Sequence, residues 1–585
     1  VRDLEYTLVT DRADLGKVCE AVQKADAFAL DLETTALNPL DGDIRLISIG
    51  CSEEAFVVDL FQTGGLGPLE GALRTSKGVK IIQNAKFDQK WLLHHYNLEL
   101  WPIFDTYRAS AVIHNGRKVP HDLYTLYSRE LGMLPRTQDL GGSNWAGALT
   151  KEQYDYAADD VILLPALRDS LRKQIFSFGL QHCALIEFGS VLPESAVELK
   201  GFYIDQPRWL ALARENKSLS DQYKKKLLAQ LPNPSSQLTL PGMDVSWNLD
   251  STPQLLVALQ KLNPKIANTA EIDLAQFLSA MPVIADIFKY REYSKCLAAF
   301  GPSFLEYVHP KTGRIHPQYY PFTGAGRFSC SAPNLQQIPR DTRFRECFRP
   351  ENGRVYVVAD YAGIEMRIAA EIAQDETLLR IFKEDKDAHY HTAAVINNVA
   401  EKDITKAQRQ AAKAVNFGLI YGMGADKLVL YAQSNYGVSM TKRQAETFIE
   451  RYFSEYSSIQ RWHKRAVNDG KRCGFTRTLS GRVRYLEAEN TYSEFMNTPV
   501  QGTGADGLKR ALREVYFRLK PFGDRAKMVH HVHDEIICEV DDDADLVEAV
   551  KNELRIGMQE AMATLLKSVP VRVDPGSGKT WADAK

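Results

Sequence analysis

A chain of 585 residues is too long for a single hydrophobic core, so several domains are expected. Apolar content of 44% and charged content of 25% are ordinary for a globular protein, and no apolar run approaches the ~18 residues that span a membrane. The formal net charge of −2 gives no global sign of a nucleic-acid partner, yet a basic groove and an acidic site can cancel in that sum. Eight cysteines are scattered with no Cys-x-x-Cys pair, which argues against structural zinc and against a disulfide framework, and fits reduced thiols in an intracellular compartment. The first residues, "VRDLEYTLVTDRADL", lack the apolar stretch of a signal peptide, and the initial Val fits a fragment or a processed form.

Residues 1 to about 185 alternate strand and helix patterns, as an α/β domain does. "AFALDLETTAL" and "LISIGCSEEAFVVDL" read as strands with turns, and "KEQYDYAADDVILLPALRDSLRKQI" as one long helix. Asp31 and Glu33 lie two apart on a predicted strand and so share a face. Asp88 follows the strand-like run "KIIQNAKFD", and Tyr156 and Asp160 lie four apart on one helical face. An Asp-x-Glu at a strand end is often only solvated, but four carboxylates and a tyrosine at element ends of one domain ask for more. Hard divalent ions prefer carboxylate oxygens, and two ions ~3.5–4 Å apart activate a water and stabilise a leaving oxygen. The chemistry that fits is two-metal phosphodiester hydrolysis, with Tyr156 placed to orient the attacking water.

"FALDLET", "NAKFD" and "YAADD" resemble the three motifs of the proofreading 3′–5′ exonuclease family, over most of residues 20 to 175. The resemblance implies a ribonuclease-H-like sheet, with Asp31, Glu33, Asp88 and Asp160 as metal ligands and Tyr156 beside them.

Residues ~186 to 310 are mostly helical, with Pro and Ser marking breaks as in "LPNPSSQ". Lys224, Lys225 and Lys226 are either a solvated helix face or a phosphate contact. Residues ~311 to 585 mix strands with long helices, and "GFTRTLSGRVRYL" reads as a turn and hairpin. "PGSGKT" imitates a phosphate-binding loop, but the first Gly of that motif is Val573 here, so a terminal loop is expected. Two apolar strands carry carboxylates: "VYVVADY" ends at Asp360, and "MVHHVHDEIICEV" holds Asp534 and Glu535. Burying naked carboxylates costs several kcal/mol unless a cation compensates them. In "RQAAKAVNFGLIYG", Arg409, Lys413, Phe417 and Tyr421 recur every four residues as one helical stripe. Such a stripe suits a nucleotide, the cations meeting phosphates and the rings meeting sugar and base.

"DYAGIEMR", the Arg409–Gly422 stretch and "VHDE" resemble the three polymerase motifs of family A DNA polymerases, the bacterial DNA polymerase I type. "TGAGRFSCSAPNLQQIPR", "YREYSK", "DAHYHTAA" and "NTPVQGTGAD" extend the match over nearly all of residues 195 to 585. The resemblance implies an exonuclease-plus-polymerase form without the 5′-nuclease domain. Its fold is multidomain, α/β and α+β: an exonuclease domain over 1–190, then a right-hand polymerase over 191–585 with an antiparallel palm sheet. The thumb is expected over about 206–305, the palm over about 311–378 and 484–585, and the fingers over about 379–483.

By the same resemblance, Asp534 sits in a palm hairpin turn opposite Asp360, and these two with Tyr361 hold two magnesium ions, for which manganese substitutes. Glu535 either assists or sits in a solvated turn, since a strand sends it away from Asp534. Arg409, Lys413 and His389 contact the incoming triphosphate, Lys413 as part of the catalytic set. Glu365 is the gate against a ribose 2′-hydroxyl, Phe417 lies beside the sugar, and Tyr421 stacks near the templating pair. Arg327, Asn497, Gln501 and His533 lie near the primer terminus. Ala362 and Gly363 replace the family's usual Ser-Gln, and Ser493 stands where an Arg is common.

The expected partners are primer–template DNA and dNTPs, with replication accessory proteins besides. The chain is expected to be monomeric, with no membrane contact, in a bacterial or host cytoplasm or a DNA-containing organelle. A single-subunit RNA polymerase and a catalytically dead nucleic-acid clamp are the competing readings. Glu365 and the exonuclease motifs argue against the first, and intact carboxylates at both sites against the second.

Overall fold

The structure is a computed structural model that describes residues 5–51, 54–134, 137, 139–234, 247–486 and 492–585. Two sheets carry the acidic clusters. The first has six strands, Thr7–Val9 (β1), Ala27–Thr34 (β2), Ile44–Gly50 (β3), Ala55–Asp59 (β4), Val79–Ile82 (β5) and Ile103–Asp105 (β6), in the order β1-β4-β3-β2-β5-β6. β2 runs antiparallel to β3 and parallel to β5. Successive residues of β2 enter different cores: Phe28, Leu30 and Leu32 join one, Ala29 the other. Asp31 and Glu33 therefore share the face of Ala29, at the end of the strand.

Helix Lys86–Tyr96 (α1) follows β5, and Lys151–Ile162 (α2) starts with a capping box made by Thr150 and Gln153. The long helix expected from Lys151 onward is in fact two, with Leu164–Ser177 (α3) starting after Leu163. Pro165 has no N–H to donate back to Val161, so the ladder breaks although the apolar spacing continues.

Helix Gln181–Lys200 (α4) runs unbroken past residue 190 and holds a buried charge network. Arg108 pairs with Glu194 at 2.7 Å, while Glu187 receives Lys509 and Arg482, and Arg482 also pairs with Asp506 at 2.6 Å. All six side chains are buried, so removing any one would strand a charge at a cost of several kcal/mol.

Helices Gln206–Gln230 (α5) and Val283–Phe300 (α6) pack through a core of their own that includes Leu227, Ile284 and Ile287. Lys224, Lys225 and Lys226 are exposed on α5, and Lys226 pairs with Asp286 of α6 at 2.7 Å. Phe202–Tyr203 (β7) pairs with Arg314–Ile315 (β8), and Gln318–Tyr320 (β9) with Ser329–Ser331 (β10).

Arg354–Tyr361 (β11) is central to the second sheet. Phe475–Arg477 (β12) and Val483–Tyr485 (β13) form the expected hairpin. Ala526–Val532 (β14), Glu535–Asp541 (β15) and Val573–Gly578 (β16) complete the second sheet, antiparallel throughout, in the order β14-β15-β11-β16. The "PGSG" of "PGSGKT" is not a loop but most of β16. Pro575 is tolerated because β16 is an edge strand, and the absence of β-branched residues after Val573 hid the strand from pattern reading. Ile364–Ala373 (α7) follows β11 through Gly363, which has φ of 60° and makes the turn that a β-carbon would strain. Ala388–Asn397 (α8) and Lys406–Ile420 (α9) lie beyond, and Glu494–Leu519 (α10) and Ala544–Ala563 (α11) share the core of the second sheet.

Candidate active sites

At the end of β2, Asp31, Glu33 and Asp160 of α2 bring carboxylate oxygens within 4.8 Å of one another. Asp88, in the first turn of α1, is 1% exposed and adds a fourth carboxylate against Asp31. Its Oδ1 is buried without a hydrogen-bond partner. Burial and the neighbouring acids push Glu33 up to about 10, and Asp31, Asp88 and Asp160 well above the carboxylate range. The charges acting most strongly on Glu33 are Asp31, Asp160, Asp88 and Asp139, all acids. An oxygen-only donor set with an orphaned buried oxygen suits hard divalent cations. Tyr156 lies beside Asp160, and both line a cavity of about 880 Å³ together with Asp31, Asp139, Tyr124 and Tyr320.

Asp360, near the end of β11, lies opposite Glu535 in the sheet register. His533 and Asp534 form the two-residue turn between β14 and β15, with His533 at φ of 56°. Burial and then Asp360 raise Asp534 to about 6, while Lys585 acts in the opposite direction. Burial also raises Asp360. Glu535, 2% exposed, accepts a hydrogen bond from Trp581 Nε1 at 2.6 Å on one oxygen and pairs with Lys585 through the other. Among the described residues, no second trio of potential ligands meets within 4.8 Å. The Tyr361 side chain is committed to the core, its hydroxyl donating to the Met558 carbonyl at 2.7 Å.

The stripe on α9 has one partly exposed edge, Arg409, Lys413 and Phe417, continued by Tyr421 at the C-cap. Ala412, Val415, Asn416 and Leu419 anchor the other face. Arg409 pairs with Asp387, which also caps α8. His389 Nδ1 meets the Asn416 amide at 2.8 Å, and its ring lies 5.7 Å from that of Phe417. Burial first, helped by Arg409 and Lys413, lowers His389 to about 4. Glu365 on α7 pairs with Arg327 at 2.8 Å, and Tyr421 lies beside Glu365 and Gln501. Asn497 and Gln501 are half-buried on α10, and Arg327 and Arg340 act on the exposed His533.

A family model for DNA polymerase family A matches residues 217–583, well over half of the chain. The chain belongs to DNA polymerase family A. A second model, for a 3′–5′ exonuclease, matches residues 6–175. This family A chain is 33% identical to DNA polymerase I of Aquifex aeolicus over 99% of both proteins. It is 31% identical to DNA polymerase I of Pseudomonas aeruginosa, of which it spans 66%. Its fold is similar to that of the POL domain of Pol1 from M. smegmatis, solved in complex with DNA primer-template and dNTP, at a TM-score of 0.83 and 21% identity, over 99% of this chain and 100% of that one. No helix among the described residues is long and apolar enough to cross a membrane.

Pattern reading missed several neighbours of these sites. Asp139 reaches the Asp31–Glu33–Asp160 cluster from a loop, and nothing in its surroundings marks it. Trp581 and Lys585 belong to a segment read as a terminal loop. Their only sequence signal is a lone large aromatic residue, Trp581, just after a Gly-rich polar stretch.

Proposed function

We propose that this chain extends a DNA primer on a template with dNTPs and removes 3′-terminal nucleotides at a second, separate site. The carrying observation is the pairing of Asp360 with Asp534 across one antiparallel hairpin, apart from the four-carboxylate cluster of the first sheet. The division expected from sequence, exonuclease to residue 190 and polymerase after it, is part of this reading, with α4 as the shared spine.

At the polymerase site, Asp360 and Asp534 would hold divalent ions, with Tyr361 contributing through its backbone because its hydroxyl is engaged. Asp31, Glu33, Asp88 and Asp160 would do so at the exonuclease site. Two magnesium ions per site, replaceable by manganese, are the proposed cofactors. Bound there, they lower the pKa of the attacking hydroxyl or water and neutralise the leaving oxygen. Arg409 and Lys413 bind the triphosphate, and Lys413 offsets the charge that grows on the leaving pyrophosphate. Arg409 must first leave Asp387, a half-exposed pair worth about 0–1 kcal/mol. His389 is neutral at pH 7. Asn416 engages its Nδ1, so Nε2 carries the proton and donates to a phosphate oxygen. Arg327 holds Glu365 where the ribose 2′-hydroxyl would lie, while Phe417 faces the sugar and Tyr421 the base pair. Asn497, Gln501 and His533 line the approach of the primer terminus. Tyr156 orients water against the Asp160 side of the exonuclease cluster. A monomer acting in a DNA-containing compartment, with accessory proteins, completes the reading.

The test is extension of a labelled primer–template with dNTPs, with rNTPs, and with dNTPs plus EDTA, beside digestion of a 3′-labelled single strand. Metal-dependent synthesis that strongly prefers dNTPs is expected. Efficient synthesis from rNTPs, or no synthesis at any metal concentration, would overturn the reading.

A further inference from the structure

The polymerase carboxylates have a cation of their own. Lys585 pairs with Glu535 Oε2, and its ammonium lies 4.0 Å from Asp360 Oδ2. It also acts on Asp534, so one ammonium serves three acids. Its anchor is fixed at both ends. Glu535 is buried and receives Trp581 Nε1 on its other oxygen, so both of its oxygens are engaged. Trp581 is 1% exposed, its backbone N–H donates to the Phe348 carbonyl at 2.9 Å, and the Arg345 guanidinium lies 4.3 Å over its ring. The Lys585 side chain itself is 40% exposed, so it can withdraw toward water without disturbing that anchor. Nothing comparable acts on Glu33, whose strongest charged neighbours are acids.

We propose that Lys585 is a positioning residue of the polymerase site, a resident cation aimed by Glu535 that holds Asp360 and Asp534 together before a divalent ion binds and weakens the site's affinity for that ion. The inference rests on the reading of Asp360 and Asp534 as metal ligands. Its physical basis is simple. A positive charge beside Asp360 repels an incoming cation, and in the metal-free protein the same charge relieves repulsion among three acids. Without it, that repulsion is relieved only by a bound proton or by the divalent ion. Lys585 therefore exchanges metal affinity for order in the metal-free state.

The experiment is a Mn²⁺ titration by electron paramagnetic resonance, with thermal unfolding in EDTA. It uses the full chain carrying Asp31→Ala and Glu33→Ala, so that the exonuclease ions are absent. Lys585→Met should tighten Mn²⁺ binding at least fivefold and lower the metal-free Tm. Lys585→Arg, which keeps the charge, should stay within twofold of its parent. Asp360→Ala should abolish the same binding event. If it does not, the metal-ligand reading fails and takes this inference with it. If Asp360→Ala abolishes binding but Lys585→Met leaves the Mn²⁺ affinity unchanged or weaker, or leaves the metal-free Tm unchanged, the inference alone is overturned.

Discussion

At the end of β2, four carboxyl groups face one another, and Glu33 is pushed up to about 10. At the end of β11, Asp360 and Asp534 face each other with Lys585 alongside, and Asp534 rises only to about 6. Both clusters are acidic, the first largely buried and the second half-buried. The difference is a single ammonium and a wetter turn. At neutral pH Glu33 therefore favours its protonated form, whereas Asp534 is mostly ionised. A buried acidic site can thus wait for its ions in two ways, by holding protons or by holding a side-chain cation.

The largest test separates the two sites. Asp360→Ala or Asp534→Ala should lower primer extension at least a thousandfold, about 4 kcal/mol of barrier, while digestion of a 3′-labelled single strand stays within twofold. Asp31→Ala with Glu33→Ala should do the reverse, because the two clusters share no residue. Extension by either palm variant within tenfold of the parent would break the comparison at its root.

Nucleotide choice should depend on the second site alone. Glu365→Ala removes the carboxylate that Arg327 holds and opens the space beside Tyr421. Ribonucleotide discrimination should fall about 10- to 100-fold without vanishing, since one hydroxyl is worth a few kcal/mol at most. Single-nucleotide insertion kinetics give that ratio, and the exonuclease rate should not move.

Phe417→Tyr is a smaller change. It places a hydroxyl next to the sugar on the stripe that carries Lys413, so a dideoxynucleotide should be accepted more readily, by more than about threefold or ~1 kcal/mol. A ratio of dideoxy to deoxy insertion that moves less would mean that Phe417 does not face the sugar.

A further effect is on stability. An acid whose folded-state pKa is raised binds its proton more tightly when folded, so stability falls as pH rises between the unfolded and folded values. For Glu33 that window runs from about 4.5 up to about 10. In EDTA, Tm should decline from pH 6 to pH 9, and Glu33→Gln should flatten the decline. Scanning calorimetry checks this, and an identical slope in parent and variant would deny the protonated state of the first cluster.

Much of this was legible in one dimension. Alternation along β2 placed Asp31 and Glu33 on one face, and four-residue spacing placed Tyr156 with Asp160 and Arg409 with Phe417, because strands and helices repeat with fixed periods. The charge oddity of "VYVVADY" and "MVHHVHDEIICEV" marked Asp360 and Asp534, which the fold brings together. Pattern reading failed where the backbone broke its own period. Pro165 split a helix whose apolar spacing runs on, and Pro575 and two glycines built an edge strand from residues that signal loops.

The sequence by itself determined which residues share an element face, that two acidic clusters exist, and which family's motifs they belong to. Only the tertiary structure decided how each cluster is compensated. It brought Asp139 to the first. It turned Glu535 toward Trp581, and it carried Lys585 from beyond an edge strand to within 4.0 Å of Asp360. The physical reason is range. Periodicity is set by bonds between near neighbours, whereas the field at a carboxylate is the sum over every charge folded to within a few ångströms, however far apart in the chain.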